Sequence, residues 1–151
     1  MELRVLSSGI DSLDVSVRGT VRSDLWEVLE DARQRAQEDG PVPVELGDTG
    51  QAFEVLPHGW RCYPLWLRSP DYQLMLGRSE AFPAALAQLG SAYLHSMGAG
   101  PGLWLVEQAL RRAVLSGMGD VTVSRLDLYA DVQGWDLEVD DFRRFVTRAR
   151  N

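Results

Sequence analysis

A run of alternating side chains, Val123 to Val132, constrains the fold of this chain more than any other feature. Its apolar members are Leu126, Leu128, Ala130 and Val132, and between them lie Arg125, Asp127, Tyr129 and Asp131. A period of two is the spacing of side chains on a β-strand and does not fit an α-helix. The run therefore predicts a strand with one apolar and one polar face.

Other segments extend this prediction along the chain. Ile10–Arg18 alternates in the same way and predicts a second strand. Dense glycine and proline between 41 and 77 favour short antiparallel strands, with a hairpin turn at 69–71. The segment 82–98 leaves helix and strand open, because its alanines and leucines favour a helix while Pro83 and Gly90 do not.

Three helices are predicted over 23–38, 101–115 and 138–150, each from apolar spacing or from charges that suit the helix dipole. Together the segments predict one α+β domain spanning 1–151. Its antiparallel sheet would carry two to three helices on one face and leave the other face open.

The charge balance limits how the chain can meet nucleic acid. It has 22 acidic residues and 15 basic ones, every basic residue is an arginine, and the net charge is −7. Non-specific binding of a phosphate backbone draws on clustered positive charge, so any DNA contact must be local. No apolar run approaches the roughly 18 residues of a membrane span, and MELRVLSSG lacks the features of a signal peptide. We expect a cytoplasmic protein without membrane contact.

Asp127 and Asp131 are the candidate metal ligands. They share a strand face but lie about 13 Å apart along it, too far to hold one ion unless a second strand brings another acid between them. One of them alone can help to hold Mg²⁺ or Mn²⁺, which prefer oxygen ligands. The alternative is a half-exposed sheet face on which Arg125 pairs with a neighbouring acid, and both interpretations stay open.

Several other chemistries find little support. Cys62 is the single cysteine, so an internal disulfide and a cysteine-based zinc site are excluded. His58 and His95 are too far apart in sequence for a histidine-pair metal motif. None of the four tyrosines stands out as a nucleophile, and the catalytic residues stay unknown.

The strand SRLDLYADVQGW (124–135) resembles the R-hydrophobic-D-hydrophobic-x-x-D strand of replication initiation factors of rolling-circle plasmids and phages, the Rep_trans type. Other similar stretches follow in the expected order: GIDSLDVSVRG (9–19), PHGWRCYPLWLRSPDYQLMLG (57–77), SAYLHSMG (91–98) and DVQGWDLEVDDFRRFVTRAR (131–150). The resemblance spans nearly the whole chain and covers the N-terminal half of that family.

The resemblance implies a DNA-nicking, strand-transferring initiator that binds an origin hairpin or single strand with the help of Mg²⁺ or Mn²⁺. Asp127 and Asp131 would be the metal ligands, and Arg125, Tyr129 and Arg18 would contact DNA. It further implies that 82–98 is a strand. The nucleophilic tyrosine would lie beyond Asn151, so the chain is expected to be incomplete for catalysis alone.

A second hypothesis follows from the acidity. The chain can be an interaction or inhibitor protein of a mobile element, which keeps the initiator fold and binds a protein partner through an acidic face as a nucleic-acid mimic. Such a mimic needs its acids spread over one continuous face, whereas an initiator needs an acid pocket bordered by arginine.

Overall fold

The computed structural model describes residues 3–47, 50–136 and 138–143. Its strands are β1 (Arg4–Val17), β2 (Thr20–Val21), β3 (Val42–Glu45), β4 (Ala52–Val55), β5 (Leu65–Arg68), β6 (Tyr72–Leu76), β7 (Ala85–Leu89), β8 (Leu115–Ser116) and β9 (Val121–Gln133). Its α-helices are α1 (Ser23–Asp39), α2 (Ser91–Met97), α3 (Ala99–Ala109) and α4 (Val139–Phe142), and a π-helical turn, Leu110–Val114, continues α3.

The chain divides into two compact units. The larger unit is Ile10–Leu128, and the smaller unit combines Met1–Gly9 with Tyr129–Asn151. Both β1 and β9 run through the boundary, so each strand contributes residues to both units. The expectation of one domain over 1–151 stays a prediction.

Seven strands form one sheet in the order β3-β4-β5-β6-β7-β1-β9, and β2 and β8 form a separate pair. From β3 to β1 each neighbouring pair is antiparallel, for example with Leu13 opposite Leu89 and Leu74 opposite Ala87. The hairpin between β5 and β6 turns at 69–71, where Ser69 N–H donates to the Tyr72 carbonyl at 3.1 Å. The predicted α+β class with an antiparallel sheet is confirmed.

The core lies between one face of this sheet and three helices. Leu13, Val15 and Val17 of β1 are buried, as are the facing residues of β7, Ala85, Ala87 and Leu89. The helices add Leu29 from α1, Leu94 from α2 and Val106 from α3 to the same cluster. Burial of each such leucine or valine contributes about 1.5–3 kcal/mol. The prediction of two to three helices on one face is therefore confirmed by α1, α2 and α3.

Some predicted boundaries move. β1 begins at Arg4 rather than Ile10. The segment 82–98 holds both elements, β7 and then α2, with Gly90 between them, so the strand implied by the resemblance is wrong for 91–97. The last helix is described only as α4, and most of the predicted range 138–150 lies outside the described residues. None of the helices described is long and apolar enough to cross a membrane.

The sheet face of the larger unit that points away from the helix-covered core is called the open face. Since Leu13, Val15 and Val17 point into the core, Ser12, Asp14 and Ser16 lie on the open face. The apolar cluster on this face includes no residue of the described helices. It is formed where Trp60 and Tyr63 of the loop 57–64 pack against Met75 and Leu86. The predicted open face thus carries a small apolar cluster beside a polar row.

Candidate nucleic-acid interface

Asp127 is held by two neighbours on the open face. The Ser12 hydroxyl donates to Asp127 Oδ2 at 2.7 Å, and the Arg125 guanidinium donates to the same oxygen. Residues two apart on a strand share a face, which is why Arg125 reaches Asp127. The Arg125 hydrogen bond, and then that of Ser12, holds the pKa of Asp127 below its usual range, and the same contact raises the pKa of Arg125. The structure therefore shows Arg125 paired with a neighbouring acid, Asp127, which was one of the two interpretations that the sequence left open.

The pairing bears on the predicted metal site. No three histidine, cysteine, aspartate or glutamate side chains gather at one place among the residues described. A divalent cation at Asp127 would have to share this carboxylate with the guanidinium and the hydroxyl already bonded to its Oδ2. This donor set does not fit Mg²⁺ or Mn²⁺ as it stands. Asp131 lies further along β9, in the smaller unit, and the assignment of either acid to a metal stays a prediction.

Arg125 lines a groove of about 460 Å³ on the open face, together with Asp14, Trp60, Arg61 and Gln88. The buried carboxylate of Asp14, 9% exposed, accepts a hydrogen bond from Gln88 Nε2 at 3.0 Å. Arg61 thus joins Arg125 at this groove, although the two lie far apart in the sequence.

Two further grooves continue from this one. Arg61, Cys62 and Tyr63 also line a groove of about 600 Å³ that includes Trp26 and Arg78. Arg78 and Ser79 in turn line a groove of about 510 Å³ that also includes Arg18. The shared lining residues make the three grooves adjoin. We call the resulting line of cations, Arg18, Arg78, Arg61 and Arg125, the arginine track.

Two of these arginines lie over tryptophan rings. The guanidinium carbon of Arg61 is 4.3 Å from the ring centroid of Trp60, and that of Arg78 is 4.6 Å from the ring centroid of Trp26. Such cation–π contacts fix the orientation of a long side chain. Planar guanidinium and indole groups are the surfaces on which nucleic-acid bases stack.

The turn that carries Arg61 is strained. Trp60 and Tyr63 exchange two backbone hydrogen bonds of 2.9 Å, which closes a two-residue turn over Arg61 and Cys62. Arg61 has a φ of 52°, a left-handed conformation that costs a non-glycine residue about 1–2 kcal/mol. Strain of this kind is concentrated at functional sites.

The residues that line the arginine track carry more positive than negative charge, although the whole chain is acidic. Its carboxylates are Asp14 at one end and Glu80 in the groove of Arg18. Arg125 is also paired with Asp127, so four arginines meet three acids along the track, whereas the whole chain carries a net charge of −7. This is the local positive surface that a DNA contact on an acidic protein requires.

The predicted DNA contacts fall in three places. Arg125 and Arg18 lie at the two ends of the track, in different grooves. Tyr129 belongs to the smaller unit, where its hydroxyl is 3.0 Å from Ser7 Oγ. Sequence reasoning missed Arg61 and Arg78. The adjacent Trp60–Arg61 pair was an available signal for the first, but nothing local relates Arg78 to Trp26.

The remaining tyrosines are poor nucleophiles. Tyr63, Tyr72 and Tyr93 are all buried, and burial raises the pKa of each hydroxyl. Tyr72 also donates to Gln51 Oε1 at 2.6 Å. A phenol that resists ionisation is slow to attack a phosphodiester.

No protein family, curated protein or solved structure matches this chain.

Proposed function

We propose that this chain is a DNA-binding domain of the rolling-circle replication-initiator type, which holds single-stranded or hairpin DNA along the arginine track. The observation that carries the proposal is the track itself: four arginines in three adjoining grooves, two of them lying over tryptophan rings. The resemblance of 124–135 to the initiator strand supports the same function. On this proposal the chain binds DNA, and Tyr63, Tyr72 and Tyr93 are not its nucleophiles, because they are buried.

The physical argument favours a single strand over a duplex. Proteins that bind single strands combine a cationic groove along the phosphates with side chains that stack on exposed bases. Arg61 with Trp60 and Arg78 with Trp26 provide both groups at two points of one track. A duplex hides its base faces, so it gains only the phosphate contacts.

The test is fluorescence anisotropy at low salt, with one labelled sequence offered as a single strand, a hairpin and a duplex. Arg61→Ala and Arg125→Ala each remove a track cation, and Arg35→Ala is the matched control. Arg35 lies on α1, where it pairs with Asp31 at 3.2 Å, and it lines none of the three grooves. We expect both track variants to weaken binding of the single strand and the hairpin by more than the control, which adds the same negative charge but removes no track contact.

Two further arms separate the remaining hypotheses. Trp60→Leu is expected to reduce the binding free energy for a single strand by about 1–3 kcal/mol, the contribution of one stacked base. Trp104→Leu, at a 57% exposed site on α3, is the control and is expected to leave the binding free energy unchanged. Mg²⁺ or Mn²⁺ that strengthens hairpin binding only while Asp127 is intact would support the metal prediction. No binding to any of the three DNAs would overturn the proposal in favour of an acidic protein that binds a protein partner.

A further inference from the structure

Strand β9 leaves a long sheet edge open. It is the last strand in the sheet order, and no described strand pairs with its outer side. It has 13 residues, and Val121–Gln133 contains no proline, glycine or lysine. Natural proteins protect sheet edges with short strands, prolines, bulges or charged side chains, and of these β9 has the charges of Arg125, Asp127 and Asp131. The opposite edge is protected in this way, because β3 has only 4 residues and one of them is Pro43.

The part of β9 in the larger unit also exposes apolar side chains. Val123 is 55% exposed, Leu126 49% and Leu128 72%. Among the β9 residues described, only Val121 packs against the core cluster. Leu126 and Leu128 belong to the apolar face predicted for this strand, yet both are exposed.

We infer that β9 pairs antiparallel with β9 of a second copy of this chain, about a twofold axis at Leu126. A twofold axis perpendicular to the sheet joins the edges and keeps the helix-covered faces of both copies on one side. Opposite residues of an antiparallel pair point to the same face, so only registers that oppose odd with odd and even with even numbers preserve the two faces.

Charge complementarity selects among these registers. An axis at Leu126 places Arg125 of each copy opposite Asp127 of the other, and the two ion pairs, one within each strand, become an alternating cluster of four charges. An axis at Asp127 opposes two carboxylates, and an axis at Arg125 opposes two guanidiniums; both are destabilising. An axis at Leu128 places Arg125 opposite Asp131 but leaves Asp127 opposite Tyr129. The register at Leu126 alone places an opposite charge across from each member of the Arg125–Asp127 pair, and the axis at Leu128 is the competing register.

The first experiment measures mass by sedimentation equilibrium of the full chain, as wild type and charge variants. We expect wild type at twice its monomer mass of 16.8 kDa. Arg125→Asp and Asp127→Arg each place like charges across the axis, and each is expected to sediment as a monomer. The double exchange, Arg125→Asp with Asp127→Arg, restores the complementarity and is expected to restore the dimer. A wild-type monomer at every concentration overturns the inference, as does a double variant that stays monomeric.

The second experiment tests the register by disulfide formation in a Cys62→Ser background, which removes the native thiol. At Leu126 the two copies of one residue face each other, with Cα atoms about 4.5–5.5 Å apart, within disulfide reach. Leu126→Cys is therefore expected to form a disulfide-linked dimer, and Leu128→Cys, opposite Ser124, is not. Leu128 is the more exposed residue, so random collision predicts the reverse order. Faster linkage through Leu128→Cys overturns the register, and linkage through neither overturns the pairing.

Discussion

Asp127 accepts hydrogen bonds from Ser12 and Arg125 at a single carboxylate oxygen, and its ionisation reports on both. Because its pKa is lowered in the folded chain, the contact persists above the ordinary aspartate pKa and is lost as pH falls through the lowered value. Arg125→Ala is expected to raise the titration midpoint of Asp127 toward the usual aspartate range. Ser12→Ala is expected to raise it less, because the Ser12 hydrogen bond is the smaller of the two causes. An NMR titration of the Asp127 carboxyl carbon measures all three midpoints.

A wild-type midpoint at the usual value would contradict this pairing. A larger rise in Ser12→Ala than in Arg125→Ala would contradict the ranking of the two contacts. Neither result would bear on the fold, because Asp127 lies on an exposed part of the edge strand.

At the scale of elements, the loop 57–64 depends on one close backbone approach. A Cβ at Gly59 would lie 2.3 Å from the Tyr63 carbonyl oxygen and 2.9 Å from Pro64 Cα, and backbone atoms cannot move aside cheaply. Gly59→Ala is therefore expected to destabilise the fold by about 1–3 kcal/mol, the usual cost of overpacking, and to weaken DNA binding by displacing Arg61. Urea unfolding followed by circular dichroism measures the first effect, and anisotropy the second.

Gly100→Ala is the matched control for this substitution. Gly100 lies in the first turn of α3, and a Cβ added there would meet no atom within 4 Å, so alanine is expected to stabilise the fold by about 0.4–1 kcal/mol. If the free energy of unfolding of Gly59→Ala were as high as that of this control, the close approach of Gly59 to the Tyr63 carbonyl would be contradicted.

The sequence predicts some elements well and others poorly. The alternation in Ile10–Arg18 and Val123–Val132 identifies β1 and β9, because side-chain period is a local property. The same period cannot say that β9 is an edge strand, and so cannot say that Leu128 is exposed. Two members of the arginine track, Arg125 and Arg18, are DNA contacts implied by the resemblance, and that role stays a prediction. Arg61 and Arg78 reach the track only through the tertiary arrangement of the grooves.

Over the whole molecule, a local cationic track competes with a net charge of −7. For single-stranded DNA each phosphate contact contributes about −0.7 to the slope of log affinity against log salt, so four track arginines predict a slope of about −3. The net charge acts at longer range, where it repels DNA until salt screens it over a Debye length of about 10 Å at 0.1 M. The two effects therefore act on different rate constants.

We expect added salt to raise the association rate constant, because it screens the repulsion between two anions, and to raise the dissociation rate constant more, because it weakens the arginine–phosphate contacts. Stopped-flow fluorescence with a labelled single strand measures both. Arg35→Ala and Arg61→Ala add the same negative charge, so both should slow association alike, while only Arg61→Ala should speed dissociation. An association rate that falls steeply with salt would mean that the field of the track, rather than the net charge, governs the encounter.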